Sequence, residues 1–234
     1  MIRRPAMLNE RKESRASFIV LCVIFVIVLI IVILDLLRIF CLMTIEIKGD
    51  SMLDTLYGGE RVLVDGTGDY EGGDIVYAVR GNRAERGDIV IIDTTDSSAY
   101  DPDGHAVFTA NIIVKRLIAV EGDCVKCEQG VVYLNRAGSG YAPLTESYVR
   151  GTTPDFSEVR VGEGEIFFLG DNRTLSADSE DIVRDGYDLL TVDDIMGVVP
   201  AWGYPSKDSV RHGKISVLRS TEFLLENNFI RRKL

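Results

Sequence analysis

The feature that most constrains this chain is an apolar run near its N-terminus. From Ala16 to Leu34 no charged residue occurs, and Phe18 to Leu34 is almost entirely Ile, Val, Leu and Phe. An α-helix rises ~1.5 Å per residue, so about 20 residues cross a bilayer core of roughly 30 Å. A helix buried in a soluble core normally shows polar residues on one side, and this run shows none. A cleaved secretory signal has a shorter apolar region, about 7–15 residues, and ends in a small-residue cleavage site. Here the run is longer and continues into Asp35-Leu36-Leu37-Arg38. The reading is an uncleaved membrane-spanning helix over 16–38, behind a tail at 1–15 and ahead of a folded domain at 39–234. The apolar stretch Ile39 to Met43 either extends the helix or rests on the membrane interface.

Charge sets the expected orientation. Residues 1–15 carry five basic and two acidic side chains, a net +3, while the whole 234-residue chain is −10, which leaves −13 for the rest. A basic flank beside the first helix stays in the cytoplasm, so the acidic remainder is expected outside it. That acidity argues against nucleic acid as a partner and favours solubility.

Beyond residue 39 the texture changes to short β-rich runs separated by Gly and Asp. Examples are Arg61–Val64, Asp74–Val79, Asp88–Ile92, Ile112–Val120, Val131–Leu134, Glu165–Leu169 and Ile195–Val199. Many short strands with turn signals between them predict a mainly β domain. Residues 66–73, 95–104 and 137–160 read as loops, and 220–234 as a short terminal helix. Of four cysteines, Cys124 and Cys127 form a C-x-x-C. With His105 and His212 far away in sequence, no metal site is expected. A local disulfide and two free thiols both remain open for that pair.

A serine hydroxyl is a poor nucleophile until a base takes its proton. Neither histidine sits in a convincing catalytic setting, and lysine is the other known partner. An ordinary lysine is neutral in only about one molecule in 2,500 at pH 7, so a basic lysine needs apolar surroundings. Lys115 lies in Asn111-Ile-Ile-Val-Lys-Arg-Leu-Ile-Ala-Val. In a strand it shares a face with Ile113 and Leu117, and Arg116 shares the other with Val114 and Ile118. An edge strand guarded by an inward charge is the competing explanation. On the serine side, Ser51 follows the strand-like Thr44–Ile47 and lies only 17 residues after Leu34.

Four segments, in order, resemble the boxes of the bacterial type I signal peptidase family. They are Gly49-Asp-Ser-Met-Leu-Asp-Thr-Leu56 with Gly59–Val64, then Arg86-Gly-Asp-Ile-Val90, then Lys115–Asp123, then Gly170-Asp-Asn-Arg-Thr-Leu-Ser-Ala-Asp-Ser179. The resemblance implies a mainly β, signal-peptidase-like catalytic domain behind one N-terminal transmembrane helix. It implies Ser51 as nucleophile and Lys115 as general base, with Ser176 aiming the lysine amine. Asp171, Arg173 and Asp178 would form a supporting polar network. It further implies an extended substrate lying beside the strands that lead to Ser51 and Lys115. Ile47, Met52, Ile113 and Val114 are the candidate walls of pockets for the small residues that end a signal peptide. The implied partners are signal-peptide-bearing preproteins and the lipid bilayer, with no cofactor and no metal.

Three positions depart from the family pattern: Asp54 replaces a usual Pro, Glu180 a common Arg, and Ala119-Val-Glu121 a Gly-containing stretch. Gly49 also supplies no side-chain oxyanion donor, so backbone N–H groups and another donor would be needed. Other readings are a self-cleaving repressor-type Ser/Lys peptidase, a degenerate family member that binds exported chains, and a peptidase serving one pathway. The apolar helix speaks against the first of these.

Overall fold

The computed structural model describes residues 6–64 and 67–204. The chain divides into two compact units, Met1–Leu42 and Met43–Leu234. The first contains one helix, α1 (Ala6–Cys41), of which Ser17–Cys41 is long and apolar enough to cross a membrane, with a mean hydropathy of 3.7. Its side chains from Phe18 to Leu34 are exposed on every side, as expected for a helix whose solvent is lipid. Ile39 to Cys41 continue the helix, and Leu42 begins the first strand.

Twelve strands, one short α-helix and a 3-10 turn at Val192–Asp194 build the rest of the described fold. In chain order they are β1 (Leu42–Glu46), β2 (Glu60–Val64), β3 (Thr67–Glu71), β4 (Ile75–Arg80), β5 (Ile89–Asp93), β6 (Ile112–Val120), β7 (Cys124–Glu128), β8 (Val131–Asn135), β9 (Tyr141–Pro143), β10 (Phe156–Arg160), β11 (Ile166–Leu169), α2 (Ser179–Arg184) and β12 (Ile195–Val199). A six-stranded sheet runs β1-β4-β12-β5-β6-β11, a four-stranded sheet runs β10-β7-β8-β9, and β2 pairs with β3. The domain is mainly β.

Alternation along the strands explains the core. On β5, Val90 and Ile92 pack with Leu117, Phe168, Ile182 and Ile195 on one face, while Ile89 and Ile91 pack with Met43, Ile47, Met52 and Leu56 on the other. The small sheet closes over a third cluster, in which Val125, Cys127, Val132 and Leu134 meet Ile118, Phe167 and Leu169. A bulge between Phe167 and Phe168 lets consecutive residues of β11 serve different clusters. β6 pairs with β5 along Ile112–Arg116 and with β11 along Arg116–Val120, so among the described residues Ile112–Lys115 have a strand neighbour on one side only. The sheet order alone does not remove the edge-strand explanation for Lys115; what sets the residue apart is its burial.

Several elements differ from expectation. Residues 67–71, expected within a loop, form β3 and pair with β2 from Glu60↔Glu71 to Val64↔Thr67. β9 and β10 lie inside the stretch 137–160 and complete the small sheet. These segments are poor in β-branched residues, and pairing with a neighbour overrides the weak local preference. Residues 95–104 remain without a strand, apart from a bridge between Tyr100 and Phe108. The expected helix at 220–234 lies outside the described residues.

Cys124 and Cys127 are both free thiols. Three residues apart on one strand, they point to opposite faces: Cys127 is buried between the sheets, and Cys124 is half-buried on the other side. A disulfide between them is excluded while β7 keeps this form. Burial pushes the Cys127 thiol up to about 11. In native protein Cys124 is expected to react with iodoacetamide well ahead of Cys127, read by mass spectrometry of the peptides. Equal labelling of the two would contradict the register of β7.

Candidate active site

Three segments meet at the N-terminal half of β6. β1 runs into Gly49-Asp50-Ser51, and the chain then turns back on itself. In that turn Leu53 N–H donates to Asp50 O, and Thr55 and Leu56 N–H donate to Met52 O at 2.9 and 2.8 Å. Met52 and Leu56 fix the turn by burying almost completely in the second core cluster. Gly58 packs flat on Gly49, and a Cβ there would lie 1.7 Å from the Gly49 carbonyl oxygen. Ser51, between these anchors, is half-buried. Among the described residues its hydroxyl has no hydrogen-bond partner.

Lys115 is 3% exposed. Its Nζ donates to Asp178 Oδ1 at 2.8 Å and to Ser176 Oγ, and the Ser176 hydroxyl donates in turn to Asp178. Taking an ammonium out of water costs several kcal/mol unless a counter-charge and hydrogen bonds replace the lost hydration. Asp178 supplies both. It also receives the Gly170 N–H at 2.9 Å to each carboxylate oxygen. Its own N–H donates to Asp181 Oδ2 at the start of α2, so helix and carboxylate are positioned together.

Gly170 is the hub of this arrangement. Its N–H serves Asp178, and its carbonyl accepts from Arg173 Nε at 2.9 Å. A Cβ on it would fall 2.1 Å from Ser176 Oγ and 2.6 Å from the Ser51 carbonyl oxygen. The absence of a side chain is what lets the Ser51 turn and the Ser176 hydroxyl close on each other. Asn172 ties the Ser51 turn down from the same loop, its N–H donating to Ser51 O at 2.9 Å and its side chain to Asp50 O at 3.0 Å.

The other expected supporting residues are present but partnered separately. Asp171, fully buried, receives both Arg116 Nε (2.8 Å) and Nη2 (2.6 Å) and the Thr55 hydroxyl. Such a two-pronged pair fixes orientation as well as charge. Arg116 also donates to Gly87 O, and its guanidinium carbon lies 3.9 Å from the centre of the Tyr148 ring. Arg173 donates to Thr153 Oγ1 and to Glu146. Its N–H meets Arg150 O, while Arg150 N–H meets Asp171 O. The stretch 146–153 thus straps the 171–173 loop from outside. Arg150 also reaches Asp54 at 3.0 Å, but both side chains are more than half exposed and this pair contributes little.

Of the candidate pocket walls, Ile47, Met52 and Val114 share one apolar cluster, while Ile113 packs on the opposite face with the cluster of Leu117 and Phe168. Residues that sequence reasoning did not single out are Arg116, Thr55, Glu146, Thr153, Gly170 and Asn172. Arg116 beside Lys115, and Gly170-Asp171-Asn172, carried a signal in the boxes already quoted. Glu146 and Thr153 sit in irregular chain and carried none.

Glu180 stands apart. It is 7% exposed, and its Oε2 is buried without a hydrogen-bond partner. Burial first, then the neighbouring Asp178 and Asp181, push its carboxyl from the ordinary 4.5 up to about 7. In the folded state Glu180 thus holds a proton that an unfolded chain releases at lower pH. Its contribution to stability is full below about pH 4.5 and is lost as pH rises through about 7, on the order of 3 kcal/mol in all. Glu180→Gln is expected to remove that loss, so the variant gains on wild type as pH rises across this range. Denaturant unfolding of the full chain at a series of pH values reads the difference, and a constant offset between the two proteins would contradict it.

Comparisons with known proteins identify the family. The family described as signal peptidase, peptidase S26, matches residues 18–202. Signal peptidase I of Bacillus licheniformis is 33% identical over 161 residues, covering 66% of this chain and 73% of that protein. Signal peptidase I U of Bacillus subtilis (strain 168) is 31% identical over 202 residues, covering 84% of this chain and 91% of that protein. A crystal structure of a signal peptidase I from Enterococcus faecalis V583 is 25% identical, with a TM-score of 0.36, and covers 50% of this chain and 97% of its own. The family match takes in most of the apolar helix and every strand from β1 to β12. This chain belongs to the signal peptidase, peptidase S26 family, and it is a peptidase.

Proposed function

We propose that this protein is a membrane-anchored endopeptidase that removes signal peptides from exported preproteins, using Ser51 as nucleophile and Lys115 as general base. The observation that carries the reading is the buried Lys115 Nζ, aimed by Ser176 and Asp178, in a site where Gly170 lets Ser176 approach the Ser51 turn. In the first step Ser51 Oγ bonds to the scissile carbonyl carbon and its proton passes to neutral Lys115. The resulting ammonium protonates the amine that leaves. In the second step a water gives a proton to Lys115 and attacks the acyl carbon, the ester bond to Ser51 breaks, and Lys115 returns the proton to Ser51 Oγ, releasing the signal peptide and restoring the neutral lysine. The hydrogen bond from Ser51 Oγ to Lys115 Nζ forms as substrate excludes water, since catalytic contacts often tighten only in that complex.

The sheet offers two places for an extended substrate. β1 is an edge strand. β6 has its β11 neighbour only from Arg116 onward, so Ile112–Lys115 are unpaired on that side among the described residues. A precursor segment adding there as a strand would present alternate side chains to the enzyme. Ile47, Met52 and Val114 on one face and Ile113 on the other would then contact different positions of it, and small residues fit best against side chains already packed. The N-terminus is cytoplasmic in this reading, from the basic flank of α1. Tethering Ser51 a short chain length after the anchor keeps it near the membrane face where precursors emerge.

Cleavage of a precursor ending in Ala-x-Ala, in detergent or lipid, tests the reading. Ser51→Ala and Lys115→Met are each expected to lose at least about 10³-fold in kcat/KM while remaining folded. Gly170→Ala is expected to lose about 10²-fold or more by prising the Ser51 turn from Ser176. Cleavage by the Ser51 or Lys115 variants at the wild-type rate would sink the dyad. No cleavage by any of the proteins would remove signal-peptide processing as the function.

A further inference from the structure

The irregular segment between β9 and β10 has no part in the reaction above, yet one of its side chains reaches both halves of the site. The Glu146 side chain is 10% exposed, and a single oxygen of it, Oε1, accepts two hydrogen bonds. One comes from Arg173 Nη2 and the other from the Tyr148 hydroxyl at 3.0 Å. From Arg173 the contacts lead to Lys115. Arg173 Nε donates to Gly170 O at 2.9 Å, Gly170 N–H donates to Asp178, and Asp178 receives Lys115 Nζ at 2.8 Å. From Tyr148 they lead to the Ser51 turn. The Tyr148 ring lies on the Arg116 guanidinium, and Arg116 grips Asp171 through two nitrogens. Asp171 receives the hydroxyl of Thr55, whose N–H closes the Ser51 turn on Met52 O.

The Arg173 side chain is 1% exposed, and among the described residues Glu146 is the carboxylate paired with it. The segment that carries Glu146 is itself fixed to the loop it braces. Arg150 N–H donates to Asp171 O at 2.7 Å, and Arg150 O receives the Arg173 N–H at 2.9 Å. We propose that Glu146 is a positioning residue for the dyad: its Oε1 ties the groups behind Lys115 to those behind Ser51 and so holds the two reacting side chains at a fixed spacing. The proposal rests on Ser51 and Lys115 being the dyad. Glu146 touches neither the substrate nor the reacting atoms. A base and a nucleophile carried on separate segments lose rate steeply when either moves, and a shift of about 1 Å costs as much as 10²-fold. The requirement at position 146 is an acceptor oxygen where Oε1 stands. Glutamine supplies one at the same reach, and alanine supplies none.

The test measures kcat and KM separately for the full chain in detergent, with a precursor ending in Ala-x-Ala, per mole of folded protein as read by denaturant unfolding. Glu146→Ala is expected to lower kcat about 30-fold and to leave KM within about twofold. Glu146→Gln is expected to stay within about threefold of wild type in kcat. Tyr148→Phe keeps the ring on Arg116 and removes only the hydroxyl. It is expected to lower kcat about fivefold, the size one ordinary hydrogen bond carries. In the Glu146→Ala background the same change is expected to cost nothing further, because the oxygen it meets is gone. A lower unfolding midpoint with kcat unchanged marks a role in stability alone and overturns the proposal, as does a loss carried by KM. So does a Gln variant as slow as the Ala variant, or a Tyr148→Phe effect of equal size in both backgrounds. If Glu146→Ala fails to fold for want of a partner to Arg173, Tyr148→Phe decides by itself, and a wild-type kcat there overturns the proposal. Failure of the dyad reading looks different, as undiminished cleavage by Lys115→Met.

Discussion

A lysine ammonium cannot be buried alone, and the part of this fold near Lys115 is arranged around that constraint. Lys115 is buried, and a buried charge left unpaired costs far more than one ordinary contact returns. Asp178 answers it. For Asp178 to reach Nζ, the chain must leave β11 at Leu169 and arrive nine residues later at the cap of α2. Gly170 makes that path possible, because its N–H goes to Asp178, its carbonyl to Arg173, and its bare Cα to the contact between Ser176 and the Ser51 turn. One glycine thereby joins Lys115, its counter-charge and the Ser51 turn.

A second buried pair performs the same service on the opposite face of β6. Arg116 and Asp171 hold each other in a two-pronged contact, and Thr55 of the Ser51 turn is hydrogen-bonded to the same carboxylate. Consecutive residues of one strand therefore serve both sides of the site, with Lys115 facing α2 and Arg116 facing the Ser51 turn. Replacing either partner would leave the other charge buried without a counterpart, which is typically more damaging than the pair is stabilising. The strap at 146–153 completes the enclosure by covering Arg116 with Tyr148 and engaging Arg173 through Glu146 and Thr153.

Much of this was legible in the sequence, for identifiable reasons. The apolar helix and the strands β2, β4, β5, β6, β8, β11 and β12 announce themselves by composition, because burial demands apolar side chains whatever the partner. Lys115 was legible because a charge inside such a run needs an explanation. Partners were harder. Glu146 and Thr153 act from irregular chain with no periodicity, and they meet Arg173 only because the tertiary fold brings that loop across. β3, β9 and β10 escaped because their pairing comes from a neighbouring strand and their own residues only permit it. The Cys124/Cys127 question needed only the phase of β7: residues three apart on a strand face opposite ways. Glu180 was legible as a departure from the family pattern, but its burial and its unsatisfied oxygen belong to the packing of α2, which contacts β11.

The central claim is that a primary amine at position 115 takes the proton from Ser51. The most direct test replaces Lys115 with Cys, in a chain whose Cys22, Cys41, Cys124 and Cys127 are changed to Ala, and alkylates it with bromoethylamine before refolding. This returns an amine at nearly the same reach, on a side chain with sulfur in place of the lysine Cγ. The account predicts no precursor cleavage by the unalkylated protein and a substantial return of cleavage after alkylation. Cleavage by the unalkylated cysteine protein, or none after a complete and correctly refolded alkylation, would contradict it.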